Sequence, residues 1–237
     1  MQLQGKTFIL TGARRIGKDV AVALSAKGAN LVISYYTHPE EVGLPNSISV
    51  KADLSKEEDI KNLVKEAVKK FGKVDGLVHM AATYPRTPVG EITMKDFEDA
   101  SKAIAGSALI LGQEAGLEMQ KNEGDVKGKI VFFSDWSVLS SPYTGYAAYN
   151  SAKAGINSIT QTLAKAFAPG ITVNAIAPGP ILKFADLTEE ENKEVLKNTP
   201  LKRWGGTEEI AKAVLYLLDA DFVTGVILPV DGGRSIS

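Results

Sequence analysis

Two rhythms of apolar and polar residues alternate along the chain. Short, mostly apolar runs at 6–10, 31–35, 47–52, 75–80, 129–133, 171–176 and 226–230 predict strands. The run at 129–133 is apolar almost throughout, as expected of a strand covered on both faces. Between the runs the apolar spacing changes to that of helices. Ile16, Val20, Ala23 and Leu24 predict a helix over 16–27 that Gly28 stops. Ser55 to Glu58 reads as a capping box that opens a second helix, running through Phe71 with Ile60, Val64, Ala67 and Val68 as its inward stripe. Further helices are predicted over 93–120, 146–168, 188–197 and 207–218.

Strands that alternate with helices, joined by right-handed crossovers, predict a Rossmann-like α/β fold. It is a doubly wound, mostly parallel seven-stranded sheet with helices on both faces. No internal repeat or low-complexity linker divides the chain, so 1–237 reads as one domain. Ligands of such sheets bind at the carboxyl ends of the strands, and chemistry is to be sought there.

Composition narrows the partners. The 237 residues are 44% hydrophobic and 23% charged, close to the globular average, and the net charge of −1 comes from interleaved signs. No basic field recommends a nucleic acid or an anionic membrane, which leaves a small molecule as the expected partner. The absence of cysteine removes disulfides, thiol catalysis and thiolate zinc sites. His38 and His79 have no carboxylate cluster at ligand spacing, so no metal is expected and both read as surface or lightly buried residues. Met1 leads directly into a strand and no stretch approaches a membrane span, which predicts a cytoplasmic protein.

Just after the first strand stands Thr11-Gly12-Ala13-Arg14-Arg15-Ile16-Gly17, opening a helix. Gly12 suits a tight turn, Gly17 lets helix and strand approach, and the helix start at Ile16 offers free N–H groups to a pyrophosphate. A plain tight turn would need no more than these glycines, so the residues downstream matter. After the second strand, Tyr36-Thr37-His38 brings no carboxylate that would repel a 2′-phosphate, and Arg14 and Arg15 lie in the adjacent turn. NADP(H) is therefore expected over NAD.

Tyr149 and Lys153 are one helical turn apart and can point into one site. Moving a phenol from about 10 toward 7 takes roughly 4 kcal/mol, which a neighbouring ammonium and a nicotinamide cation can supply. Such a phenol can protonate a carbonyl that receives hydride.

With these residues in order, the chain resembles the short-chain dehydrogenase/reductase family from its first strand to its last. Thr11, Gly12 and Gly17 are similar to its glycine turn, and Asp53-Leu54 to its adenine-binding pair. Tyr149 and Lys153 match its Tyr and Lys. Residues 174–179, with Pro178, Gly179 and the following Ile181, are similar to its nicotinamide-side stretch. The resemblance implies an oxidoreductase, a homo-oligomer (dimer or tetramer), and a Ser on the strand before the Tyr that bonds the substrate oxygen. Here Asp135 best fits that position, as in the pteridine reductases, with Ser137 as the competing candidate. A 3-oxoacyl thioester, a pterin or a small ketone would fit the centre.

Several features depart from the family. The glycine turn is one residue short, with Arg15 near the middle glycine's place. The family's Asn-Asn-Ala-Gly is His79-Met80-Ala81-Ala82, which keeps small Ala81 and Ala82 beside a ribose but lacks the polar pins of the sheet. The family's relay Asn would fall near Ile104 or Ala105, where no Asn stands. About a dozen residues join the second and third strands, too few for a crossover helix. These losses motivate a rival expectation, an NADP(H)-binding sensor without turnover. The segment 180–200, with Phe184 and Leu187, is expected to form a lid over the site.

Overall fold

A computed structural model describes residues 2–39, 43–183 and 187–237. Strand β1 (Thr7–Thr11) is buried along its whole length and occupies the middle of the sheet. Helix α1 (Ile16–Ala26) returns the chain to β2 (Asn30–Tyr35), and β3 (Ser47–Lys51) follows at the edge. After α2 (Glu57–Phe71) the chain crosses to the other side of β1 as β4 (Gly76–His79). Then come α3 (Met94–Ala100), α4 (Ser107–Met119), β5 (Gly128–Phe133), α5 (Ala147–Phe167) and β6 (Ile171–Pro178). Helices α6 (Glu189–Lys197) and α7 (Thr207–Asp219) precede β7 (Ile227–Val230).

The sheet order is β3-β2-β1-β4-β5-β6-β7, and every pairing is parallel. The apolar residues of the strands split between two cores. Ile9, Val32, Leu77, Ile130 and Phe132 meet α2, α4 and α5 on one face. Phe8, Leu10, Leu31, Val78 and Val131 meet α1 and α7 on the other. The strand order reverses between β1 and β4, so their carboxyl ends, Thr11 and His79, open the crevice in which such folds bind ligands.

Two local expectations are corrected. The Ser55–Glu58 capping box does not form: α2 starts after Lys56 with no side-chain cap. Asp53, two residues before Ser55, captures its hydroxyl at 2.7 Å and its amide at 3.1 Å. Glu57, Glu58 and Asp59 in the first turn answer the helix dipole instead. The stretch expected as one helix over 93–120 is broken by a π-helical segment at Ser101–Gly106. Its start is a true capping box, Thr93 with Asp96, and a second such box, Thr188 with Glu191, opens α6.

Candidate active site

The turn after β1 is shaped by what lies against it. Gly12 has φ +71°, and a Cβ there would lie 2.6 Å from the Ala81 amide nitrogen, so only glycine lets the turn rest on the loop after β4. Arg15, standing near the family's middle glycine, also takes a positive φ of 52° as the residue before α1. No side chain caps α1, whose start therefore offers amides and the positive dipole end to an anion. An uncapped helix start beside a glycine cradle fits a dinucleotide pyrophosphate.

The other expected cofactor residues line the same edge. Tyr36, Thr37 and His38 are exposed in the bend after β2, as are Arg14 and Arg15 in the turn. Ala81 is half-buried and Ala82 exposed at the mouth between β1 and β4. Asp53 lies two residues beyond β3, its carboxyl held below the usual range chiefly by the Ser55 hydroxyl. Pro178 ends β6, and a Cβ on Gly179 would fall 2.5 Å from the Cα of Asp231. Ile181 is a core residue whose carbonyl takes the Gly206 amide at 3.0 Å.

Tyr149, Lys153 and Asp135 come together at the carboxyl end of β5. The Tyr149 hydroxyl donates to Asp135 Oδ2 at 2.6 Å, while Asp135 Oδ1 accepts the Ser137 amide at 2.9 Å. Ser137 is fully buried and its hydroxyl has no partner among the described residues, so the phenol's bond goes to Asp135 and not to Ser137. Lys153 donates to the carbonyl of Phe133 at 2.6 Å, and its ammonium is 5.8 Å from the centre of the Tyr149 ring. Burial first, then the Asp135 charge and its hydrogen bond, push the Tyr149 pKa well above that of a free phenol. Burial lowers Lys153 from 10.5 to about 8, against the opposing pull of Asp135.

Several residues at this centre carry no local sequence signal. Tyr84, still 46% exposed, stacks on Tyr146 at 4.3 Å and meets Tyr149 edge-on at 4.7 Å. Its loop is strapped to α5 by Thr87, whose amide donates to Gly145 and whose hydroxyl accepts the Ala148 amide. Trp136 donates to the Tyr143 hydroxyl at 2.6 Å, and Arg234 from the C-terminal turn lies over its ring at 5.1 Å. The spacing of Tyr143, Tyr146 and Tyr149 is the one trace of this cluster visible in sequence. Of the segment 180–200, Phe184 lies outside the described residues. Helix α6 is tied down by Asn192 to Trp204 and by Val195 to Arg234.

His79 corrects two expectations at once. It is 2% exposed, fully buried rather than a surface or lightly buried residue, and it supplies a polar pin where the family's asparagines are missing. One ring nitrogen contacts Thr11 Oγ1 at 2.8 Å and the other Ser107 Oγ at 3.1 Å.

Among the described residues no group of acidic or histidine side chains could hold a metal, and no helix is long and apolar enough to cross a membrane.

Comparison with known proteins places this geometry in company. The profile of a family described as enoyl-(acyl carrier protein) reductase matches residues 12–235. Glucose 1-dehydrogenase 2 of Bacillus subtilis is 34% identical, over 99% of this chain and 96% of its own. A 3-oxoacyl-[acyl-carrier-protein] reductase of Synechocystis is 32% identical, over 98% and 97%. Among solved structures, a short-chain dehydrogenase/reductase from Serratia marcescens superposes with a TM-score of 0.89 at 27% identity, covering 99% of this chain and 100% of that one. A blue fluorescent protein from a metagenomic library, in complex with NADPH, does so with 0.87 at 28% identity and the same coverage.

Proposed function

The chain belongs to the short-chain dehydrogenase/reductase family, and on that premise we propose that it is an NADP(H)-dependent reductase in which Tyr149 protonates a carbonyl or imine substrate. The observation that carries this reading is the 2.6 Å bond between Tyr149 and Asp135, beside buried Lys153 and at the carboxyl end of the sheet. The NADPH-bound relative and the carboxylate-free bend Tyr36-Thr37-His38 support the choice of cofactor.

Gly12, Ile16, Gly17 and the start of α1 receive the pyrophosphate. Arg14 and Arg15, with Thr37 and His38, surround the 2′-phosphate, and Asp53 and Leu54 take the adenine. Ala81 and Ala82 leave room for a ribose, while Pro178, Gly179 and the Ile181 backbone border the nicotinamide. The bound reduced nicotinamide supplies hydride. Tyr149 holds the proton: burial and the Asp135 charge push its pKa up rather than down, opposite to the lowering expected from the sequence, so the hydroxyl stays protonated at ordinary pH and needs positive charge beside it to give that proton to a substrate oxygen or nitrogen. Lys153 fixes the phenol's surroundings with positive charge and steadies the anion formed when the proton leaves.

Asp135 bears on the substrate. As a carboxylate it accepts hydrogen bonds and has none to give, and in this structure it already accepts one from the Tyr149 hydroxyl. A substrate that displaces that bond needs a donor for Asp135 next to an acceptor for Tyr149. A lone ketone or thioester carbonyl presents only the acceptor. A pterin, with N–H groups adjoining a ring nitrogen or carbonyl, presents both, and it is the substrate class favoured here.

Binding of NADPH and NADH followed by fluorescence, and their oxidation against a panel of carbonyls and pterins, tests the proposal in wild type and Tyr149→Phe. NADPH binding in both proteins, with turnover confined to wild type, is expected. Binding without turnover on any substrate would favour the sensor, and no binding of either nucleotide would refute both.

A further inference from the structure

His79 joins three elements that converge on the crevice. It ends β4, beside Thr11 at the end of β1, with the two residues paired in the sheet register. Ser107, its other partner, is the first residue of α4, immediately after the π-helical segment. The direction of each bond follows from the partners. The Ser107 hydroxyl lies 2.8 Å from the Ala103 carbonyl and 3.1 Å from that of Ile104, so its single proton goes to the helix. Its lone pair then receives Nε2–H of His79. Nδ1 is left as an acceptor for the Thr11 hydroxyl, and Thr11 Oγ1 itself accepts the Ala81 amide at 3.2 Å. A continuous chain of donors and acceptors thus runs from the loop after β4 through the neutral ring to the π-helical carbonyls. Burial and the nearby charge of Lys153 hold His79 neutral, its pKa lowered to about 3.

Both ends of this chain bear on the site. Thr11 precedes Gly12, whose turn rests on the Ala81 backbone. The π-helical segment packs against α5 so closely that a Cβ on Gly155, two residues beyond Lys153, would lie 3.2 Å from that of Ala105. The two nitrogens on opposite sides of one imidazole let His79 reach Thr11 and Ser107 at once.

We propose that His79 is a positioning residue, a clamp that holds the glycine turn in register with the π-helical segment and so with the helix carrying Tyr149 and Lys153. Its consequence for affinity rests on the nucleotide-binding function proposed above; the clamp itself does not.

A double-mutant cycle tests it. Ser107→Ala removes the far end of the clamp without touching the crevice, and His79→Asn cuts the middle. Two readouts are taken in each of the four proteins: amide hydrogen exchange of residues 11–17 without ligand, and the NADPH Kd. In the wild-type background Ser107→Ala is expected to raise both the exchange rate and the Kd about threefold to tenfold, and in the His79→Asn background by less than about twofold. Equal effects in the two backgrounds, or none in the first, would overturn the clamp. If His79→Asn does not fold, Thr11→Val cuts the link from the other side and completes the same cycle. If wild type binds no nucleotide, the functional proposal falls, while the exchange cycle still decides the clamp.

Discussion

The two ends of strand β5 each hold a buried lysine, and the lysines are partnered in opposite ways. At the amino end, Lys129 is 1% exposed and donates to Asp221 and to the Ala220 carbonyl, both at 2.7 Å. Nearby, Asp75 is equally buried and satisfied by Lys6, Lys73 and the Thr7 amide. At the carboxyl end, Lys153 is 4% exposed and bonds the neutral carbonyl of Phe133. Among the described residues no carboxylate lies within ion-pair distance of it. A charge taken out of water needs an opposite charge or a ligand. The amino end supplies its own and serves the fold; the carboxyl end is left short, as expected where a ligand completes the set.

The largest way to break this comparison is at the phenol. Tyr149→Phe should lower turnover by about 10²- to 10⁴-fold, the range for a removed general acid, with nucleotide affinity and thermal stability close to wild type. Steady-state rates and binding isotherms check it. At the other end, Asp75→Ala should cost about 1–3 kcal/mol in denaturant unfolding, because it leaves the buried Thr7 amide without its acceptor while the two partly exposed lysines return to water. Turnover per folded molecule should not change.

Smaller effects sharpen the contrast through pH. Asp135→Asn removes the negative charge that, after burial, raises the Tyr149 pKa. The phenol then ionises more readily, so the alkaline limb of reductive kcat/KM should move to lower pH. An unmoved limb would separate Asp135 from the proton donor. Lys153 has a pKa of about 8 in the folded chain against 10.5 for a free lysine. Between those values the unfolded chain binds more protons, so this residue's contribution makes stability rise with pH from about 8 to 10.5. The smallest effect is at Arg15, where Arg15→Gly relieves a positive φ and should change stability by no more than about 1 kcal/mol in the favourable direction.

The sequence made the sheet legible because strand burial on two faces writes itself as apolar runs, and each described strand lies within a residue or two of its predicted place. Tyr149 and Lys153 were legible as neighbours because a helical turn is a local rule. What escaped depends on partners distant in the chain. Ser55 is followed three residues later by Glu58 and reads as a cap, yet Asp53 takes its hydroxyl. The π-helical turn leaves the apolar stripe intact, with Ile104 and Ala108 both in the core, so periodicity passes over it. His79 looked bland because its partners, Thr11 and Ser107, come from β1 and α4 and no spacing announces them. Tyr84 is placed at the centre by a loop strapped to α5, a link between residues 61 positions apart.

The most direct test of the comparison applies one substitution to both ends of β5: the unfolding free energies and turnover of Lys129→Met and Lys153→Met. Lys129→Met should lose about 1–3 kcal/mol of stability and keep its turnover, since it removes charge-assisted bonds that serve only the fold. Lys153→Met should be as stable as wild type at pH 7 or more so, and should lose turnover. Equal losses of stability in the two variants would contradict the account, since Lys153 would then be as well compensated in the fold as Lys129.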